Sequence, residues 1–142
     1  MRSNRYVFDN NIWISYFITN QQDRIINIID VYEIEVFICD ELIKEFETVL
    51  KHPHLKKFNI DVKKSIKILK AITTNYKLVY PIKNYIPDDV DDNYVVALAL
   101  QTNAGFVTSG DKHILSQKVI LEQKFTKLKI ITKAAFENKF HV

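Results

Sequence analysis

The stretch PDDVDDNYVVALAL, residues 87–100, places an acidic cluster directly before a helical segment that is apolar on every side. Such a helix is typical of a protein core. Its N-terminus explains one or two of the four aspartates, because Asp caps free N–H groups and meets the positive end of the helix dipole. Four carboxylates repel one another, so something must offset their charge. Water and lysines do so at a surface, and a divalent cation does so in a cleft.

Length and composition limit the function of these 142 residues. They predict one domain, residues 1–142, with a core of its own. No apolar run approaches the roughly 20 residues of a membrane span, and no signal peptide precedes the first predicted strand. We therefore expect a cytoplasmic protein with no membrane partner. Two glycines are too few for a Walker loop or a dinucleotide fingerprint, and the single Cys39 excludes a disulfide framework.

Predicted strands and helices alternate along the chain. Five runs have β-type composition: residues 5–8, 35–39, 77–80, 105–108 and 129–131. Helical patterns fill the intervals, at residues 12–18, 23–32, 41–51, 61–76, 94–103 and 113–116 and after residue 132. This alternation predicts an α/β fold, a three-layer α/β/α sandwich around a mainly parallel sheet of about five strands. In such sheets, sites form outside the carboxyl ends of the strands.

Four acids are candidates for a site at that edge. Asp9 directly follows the first strand and Asp111 follows the fourth by a few residues, so both project at the same edge. Asp92 starts the helix that enters the fourth strand, and Glu45 lies on the helix after the second; their distance from the edge depends on the fold. Carboxylates suit Mg²⁺ and Mn²⁺, which activate water against phosphodiesters. Since no candidate base or nucleophile triad stands out, metal-assisted hydrolysis is the chemistry that these residues support.

Four short motifs, in this order, resemble the PIN domain family, of the VapC-like kind found as bacterial toxins of toxin–antitoxin pairs. They are Val7-Phe8-Asp9-Asn10-Asn11, Glu41-Leu42-Ile43-Lys44-Glu45, Asp92-Asn93 before an Ala-Leu-Ala helix, and Ser109-Gly110-Asp111-Lys112-His113-Ile114-Leu115. The resemblance runs from Tyr6 to about Phe136. It departs from the family at Asn10, where Thr is usual, and at the extra acids Asp89 and Asp91.

The resemblance implies a Mg²⁺- or Mn²⁺-dependent endoribonuclease that hydrolyses RNA phosphodiester bonds. The catalytic residues and metal ligands that it implies are Asp9, Glu45, Asp92 and Asp111, supported by Asn11, Ser109 and Asn93. It also implies a cognate antitoxin as a partner, and homodimers are common among the relatives.

Simpler explanations exist for several of these acids. Asp9 can be a helix cap and Asp111 a turn residue after a glycine. Asp88, Asp89 and Asp91 are expected to be solvated or capping, although Asp89 or Asp91 can also contact a metal-binding residue without binding the metal itself.

Lysines dominate residues 51–83, where nine of them accompany one acid, Asp61. A solvated helix face is the default explanation of such a run. However, the proposed acids repel a phosphate chain, and a basic arm beside them would attract it. We therefore favour RNA contact, through Lys63, Lys64, Lys67 and Lys70.

Other functions fit the sequence less well. A PIN-like module that binds RNA or protein without cleaving is the alternative, but such sites usually lose an acid, and all four are present. A response-regulator receiver needs an acidic pair after its first strand, where this chain has Asp9 alone. A haloacid-dehalogenase-type phosphatase needs Asp-x-Asp there, and position 11 is Asn.

Overall fold

Five parallel strands form one sheet in a computed structural model of the chain, which describes residues 4–140. The strands are β1 (Arg5–Phe8), β2 (Glu35–Ile38), β3 (Thr74–Asn75), β4 (Phe106–Thr108) and β5 (Lys129–Ile131). Their order across the sheet is β3-β2-β1-β4-β5. The chain therefore moves outward from β1 on one side, then crosses to β4 on the other. This puts the topological switch point, where open parallel sheets form their sites, at the carboxyl ends of β1 and β4.

Within residues 4–140, eight α-helices connect and cover the strands. They are α1 (Asn10–Ile18), α2 (Gln22–Tyr32), α3 (Asp40–Leu50), α4 (Val62–Ile72), α5 (Asn93–Gln101), α6 (Lys112–Ser116), α7 (Lys118–Lys124) and α8 (Lys133–Phe140). Short 3₁₀ turns span Pro53–Phe58 and Val90–Asp92. The predicted α/β sandwich with a parallel five-stranded sheet is confirmed. None of the helices in this part of the chain is long and apolar enough to cross a membrane.

Burial follows the hydrophobic pattern of each helix. Helix α5 is buried from Asn93 to Ala99, as its lack of a polar face predicts. Helix α4 buries only Ser65 and Leu69 and turns its lysines outward. The Asp61 carboxylate starts α4 by accepting the Lys64 N–H at 3.0 Å.

Aromatic rings close the core around β1. The Tyr6 and Phe8 rings meet the ring of Phe136 from α8 edge to face, with centroids 5.3 and 4.9 Å apart respectively. Such edge-to-face pairs add to the stabilisation from burial alone. This packing anchors β1 in the core, directly before Asp9.

The strand predicted at residues 77–80 is wrong. The strand beside β2 is β3, in which Thr74 lies opposite Phe37 and Asn75 opposite Ile38. It forms early because α4 ends at Ile72, and the extended Thr73 (φ −125°, ψ 169°) turns the chain onto the sheet. Helix α7 forms in a stretch where no element was predicted.

Candidate metal centre

The carboxyl ends of β1 and β4 present two of the predicted acids at one edge of the sheet. Asp9 follows β1 directly, and its backbone N–H donates to the Thr108 carbonyl oxygen at 2.9 Å, which extends the β1–β4 pairing to the acid itself. Asp111 follows β4 by three residues. The switch point of the sheet therefore sets the positions of both.

Helices α3 and α5 bring the other predicted acids to the same place. Asp92 ends the 3₁₀ turn that leads into α5, and one carboxylate oxygen from each of Asp89, Asp92 and Asp111 lies within 4.8 Å of the others. Asp9 is close enough for its charge to act on Asp92, and the charge of Glu45 acts on Asp9 in turn. Charge effects therefore link Asp9 and Glu45 to this acidic cluster, in which the carboxylates that lie close together are those of Asp89, Asp92 and Asp111.

The cluster holds more negative charge than the protein around it neutralises. Asp9 and Asp92 are only 2% and 8% exposed. Burial raises the pKa of Asp9 to about 6, although a hydrogen bond from Ser109 opposes the shift. Burial also raises the pKa of Asp92 to about 8, and the charges of Asp9 and Asp89 add to the effect. An all-oxygen set with uncompensated charge fits a hard divalent cation.

Ser109 links two of the acids. Its hydroxyl donates to Asp9 Oδ2 at 2.9 Å and accepts the Asp111 N–H at 3.0 Å. The residue is fully buried, so water does not compete for these bonds. Ser109 therefore holds the Asp9 carboxylate and the Asp111 backbone together.

Asp111 is a helix cap as well as a member of the cluster. Its Oδ1 accepts the backbone N–H groups of His113 and Ile114 at 2.7 and 3.3 Å. This cap uses one of the two carboxylate oxygens. The simpler explanation and the metal explanation are therefore compatible for this residue.

Tyr94 holds the acid that comes from α3. Its hydroxyl donates to Glu45 Oε2 at 2.6 Å, and the bond joins helices α5 and α3. The two residues are 49 positions apart, so nothing in the local sequence signals the contact. Sequence reasoning missed Tyr94 for this reason.

Within residues 4–140, no hydrogen bond joins the side chain of Asn93 or Asn11 to the acids. The Asn93 side-chain oxygen accepts the backbone N–H groups of Tyr85 and Ile86 at 2.8 and 2.7 Å, and its amide donates to Asn84 at 3.0 Å. Asn93 therefore anchors the loop that precedes the acidic stretch. Asn11 is exposed in the first turn of α1.

Asp89 was expected first to be solvated or capping, but its carboxylate lies in the cluster with those of Asp92 and Asp111. Asp89 directly precedes the 3₁₀ turn Val90–Asp92 and lies three residues before Asp92, and positions i and i+3 eclipse in such a turn. The spacing of the two acids is visible in the sequence, but the turn that brings them together is not. The backbone bond from the Asp92 N–H to the Asp89 carbonyl oxygen, 3.1 Å, closes that turn.

Asn10, in the position where Thr is usual, is 1% exposed. Within residues 4–140, neither its side-chain oxygen nor its nitrogen has a hydrogen-bond partner. Its backbone N–H helps to lower the pKa of the Asp9 carboxyl, against the larger effect of burial. The substitution therefore places a buried amide next to the acid.

The predicted basic face lies on α4, and the cleft that it lines contains none of the clustered acids. Lys63, Lys64, Lys67 and Lys70 are all exposed. The first three line a small cleft together with Asp61. The lysine that lines a cleft together with Glu45 is instead Lys44 of α3.

Two comparisons relate the chain to known proteins. A family model described as PIN domain matches residues 5–113. The fold is similar to that of a chain in the crystal structure of VapBC2 from Rickettsia felis bound to a DNA fragment from their promoter, with a TM-score of 0.58 and 12% identity. That similarity covers 90% of this chain and 98% of the other. No curated protein gives a significant match.

Proposed function

Because the chain belongs to the PIN domain family, we propose that it is a metal-dependent endoribonuclease that hydrolyses RNA phosphodiester bonds. The observation that supports the proposal is the approach of the Asp89, Asp92 and Asp111 carboxylates within 4.8 Å of one another, with the charge of Asp9 acting on Asp92 and that of Glu45 acting on Asp9. These acids come from the residue after β1, from α3, from the turn before α5 and from the loop after β4, which are far apart in sequence. A group of buried like charges is costly unless a ligand uses it.

We propose that the acids hold Mg²⁺ or Mn²⁺. Asp9, Asp92 and Asp111 would be ligands, and Glu45 and Asp89 would complete the set. The bound ion supplies an activated water and stabilises the charge of a phosphodiester under attack. Ser109 would orient the Asp9 carboxylate and hold the Asp111 backbone through its two hydrogen bonds, and Tyr94 would orient Glu45. Such outer contacts fix ligand geometry.

The direct test is cleavage of a mixed pool of structured RNA by the pure protein, with Mn²⁺ or Mg²⁺ against EDTA. We expect cleavage products only when the metal is present. If the protein is inert but still binds RNA in a salt-sensitive way, the alternative of a catalytically silent RNA-binding module is favoured. If it neither cleaves nor binds RNA, the proposal is wrong.

The exposed lysines of α4 are proposed to contact the RNA backbone. Replacing Lys63, Lys64 and Lys67 together by Gln should weaken binding to all RNA sequences alike, because phosphate contacts carry no sequence information. The slope of log affinity against log salt should fall by about 0.7 per lost contact for a single strand, or about 2 in total. Fluorescence anisotropy over a salt series measures it.

The matched control replaces the same three lysines by Arg, which keeps the charge, and it should retain the wild-type slope. An unchanged slope in the Gln variant would show that this face is a solvated surface.

We further propose that the chain is the toxin of a type II toxin–antitoxin pair, with a cognate antitoxin as its partner and a homodimer as its assembly. The similarity in fold to a chain of VapBC2 supports a protein partner. Growth arrest when the chain is expressed alone in the cytoplasm, relieved by a co-expressed partner, is the corresponding test.

A further inference from the structure

A cleft of about 700 Å³ opens beside the acidic cluster. Glu45 belongs to both, since it lines the cleft and its charge acts on Asp9. Ile82 and Val90 supply apolar surface to the cleft, and Val90 is largely exposed. An RNA strand held at the acids would therefore place the adjoining nucleotide in the cleft.

Tyr80 lines this cleft as an exposed aromatic residue that is held at two points. It is 56% exposed. The preceding residue, Val79, is clamped to α5, because both its N–H and its carbonyl oxygen bond to the side-chain amide of Gln101 at 2.9 Å. The Tyr80 hydroxyl donates to Glu41 Oε2 of α3 at 2.5 Å. A ring held in this way loses little freedom when a flat ligand stacks on it.

The charged groups of the cleft define which ligand fits. Three carboxylates, Glu41, Glu45 and Asp91, face a single lysine, Lys44. Ionised carboxylates only accept hydrogen bonds, and their charge disfavours a phosphate inside the cleft. The ligand should therefore be flat, neutral and rich in N–H donors. An unpaired nucleobase has these properties, and RNA-binding proteins commonly stack such bases on aromatic side chains.

The nucleobases differ in how well they match a carboxylate. Guanine presents N1–H and an N2 amine side by side, which suits the two oxygens of one carboxylate. Adenine and cytosine each offer an exocyclic amine, and carboxylates accept from the cytosine N4 amine in other complexes. Uracil has one N–H between two carbonyl oxygens, and both of these oxygens are repelled by a carboxylate.

We propose that this cleft binds one unpaired nucleobase of the RNA, stacked on Tyr80, and that its carboxylates select bases with an exocyclic amine, guanine above all. The inference rests on the proposed function, because it names the part of the substrate that lies next to the reacting phosphodiester. Glu41 has two roles here, since it fixes the Tyr80 ring and contributes acceptor charge.

The experiment compares the binding of two fluorescently labelled RNA octamers, one all uridine and one with a single central guanosine. Binding is measured by anisotropy in EDTA, so it needs no cleavage, and failure of the nuclease proposal stays distinguishable from failure of this one. We expect wild type to bind the guanosine octamer about tenfold tighter. Tyr80→Ala should weaken that binding about 10- to 100-fold, as expected for the loss of base stacking.

Two variants separate the contribution of the Tyr80 ring from that of the Glu41 acceptor. Tyr80→Phe keeps the ring and should stay within about threefold of wild-type affinity. Glu41→Gln replaces an acceptor by an amide and should reduce the preference for guanosine over uridine. Thermal unfolding of each variant checks that the fold is retained.

Two results would overturn the inference. Equal affinity of wild type and Tyr80→Ala for both octamers would exclude base stacking here and would leave the cleft to a protein segment. A loss in Tyr80→Ala without any wild-type preference between the octamers would exclude the selection of amine-bearing bases.

Discussion

Asp92→Asn is expected to lower kcat/KM for metal-dependent RNA cleavage by at least about 100-fold, the scale of removing a key charge-stabilising group. The side chain keeps its shape but loses its charge at a position that is only 8% exposed and lies within the carboxylate cluster. Initial rates on one defined RNA, in saturating Mn²⁺ or Mg²⁺, measure the effect.

The matched control is Asp88→Asn, which removes an exposed acid from the same stretch and should leave the rate within about twofold of wild type. In EDTA, Asp92→Asn should unfold at the same temperature as wild type or higher, because burial and the neighbouring acids disfavour the charge that it removes. Lost activity in a protein of equal or greater stability distinguishes a functional acid from a structural one. A rate near that of wild type would contradict the assignment of Asp92.

The metal-free protein is expected to lose stability as the pH rises from about 4 to 8. The pKa values of Asp9 and Asp92 are raised from 3.8 to about 6 and about 8 in the folded state, so the folded chain holds these protons more tightly than the unfolded chain. Their contribution to stability is complete below the unfolded pKa and is lost as the pH passes the folded values. The loss should lower the unfolding midpoint by at least about 10 °C.

Comparison with the double variant Asp9→Asn, Asp92→Asn isolates this effect from all other titrating groups. The midpoint of wild type in EDTA should fall relative to that of the variant between pH 4 and pH 8, as measured by circular dichroism. If the difference between the two proteins stays constant over this range, the raised pKa values are contradicted.

Mn²⁺ or Mg²⁺ should restore the lost stability at pH 8. A ligand that binds only the folded state stabilises it by about 2.7 kcal/mol at 100 times its Kd. Near pH 4 the protonated acids should bind little metal, so the midpoint should not change. A similar rise in the double variant would place the metal elsewhere in the protein.

Local sequence patterns were enough to predict most of the fold. Alternating strand and helix patterns predicted an α/β fold with a parallel sheet. The uniformly apolar stretch after Asp92 predicted the buried helix α5, because a helix without a polar face has to be covered on all sides. Residues 77–80 show that local composition alone does not decide whether a strand forms. Their composition is β-like, but a strand also needs a partner, and Thr74–Asn75 already occupies the edge of β2 while Val79 pairs with Gln101.

Some features of the acidic site were likewise predictable from the sequence, whereas others depend on the tertiary structure. Asp9 and Asp111 were predictable from sequence, since the end of a parallel strand has a fixed place at the edge of the sheet. The approach of Glu45 to Asp9, the bond from Tyr94 to Glu45 and the cleft formed by Tyr80 and Glu41 depend on how α3, α5 and the preceding loop pack together. Those distances join residues tens of positions apart, and long-range packing sets them because no local periodicity encodes the distance between two elements.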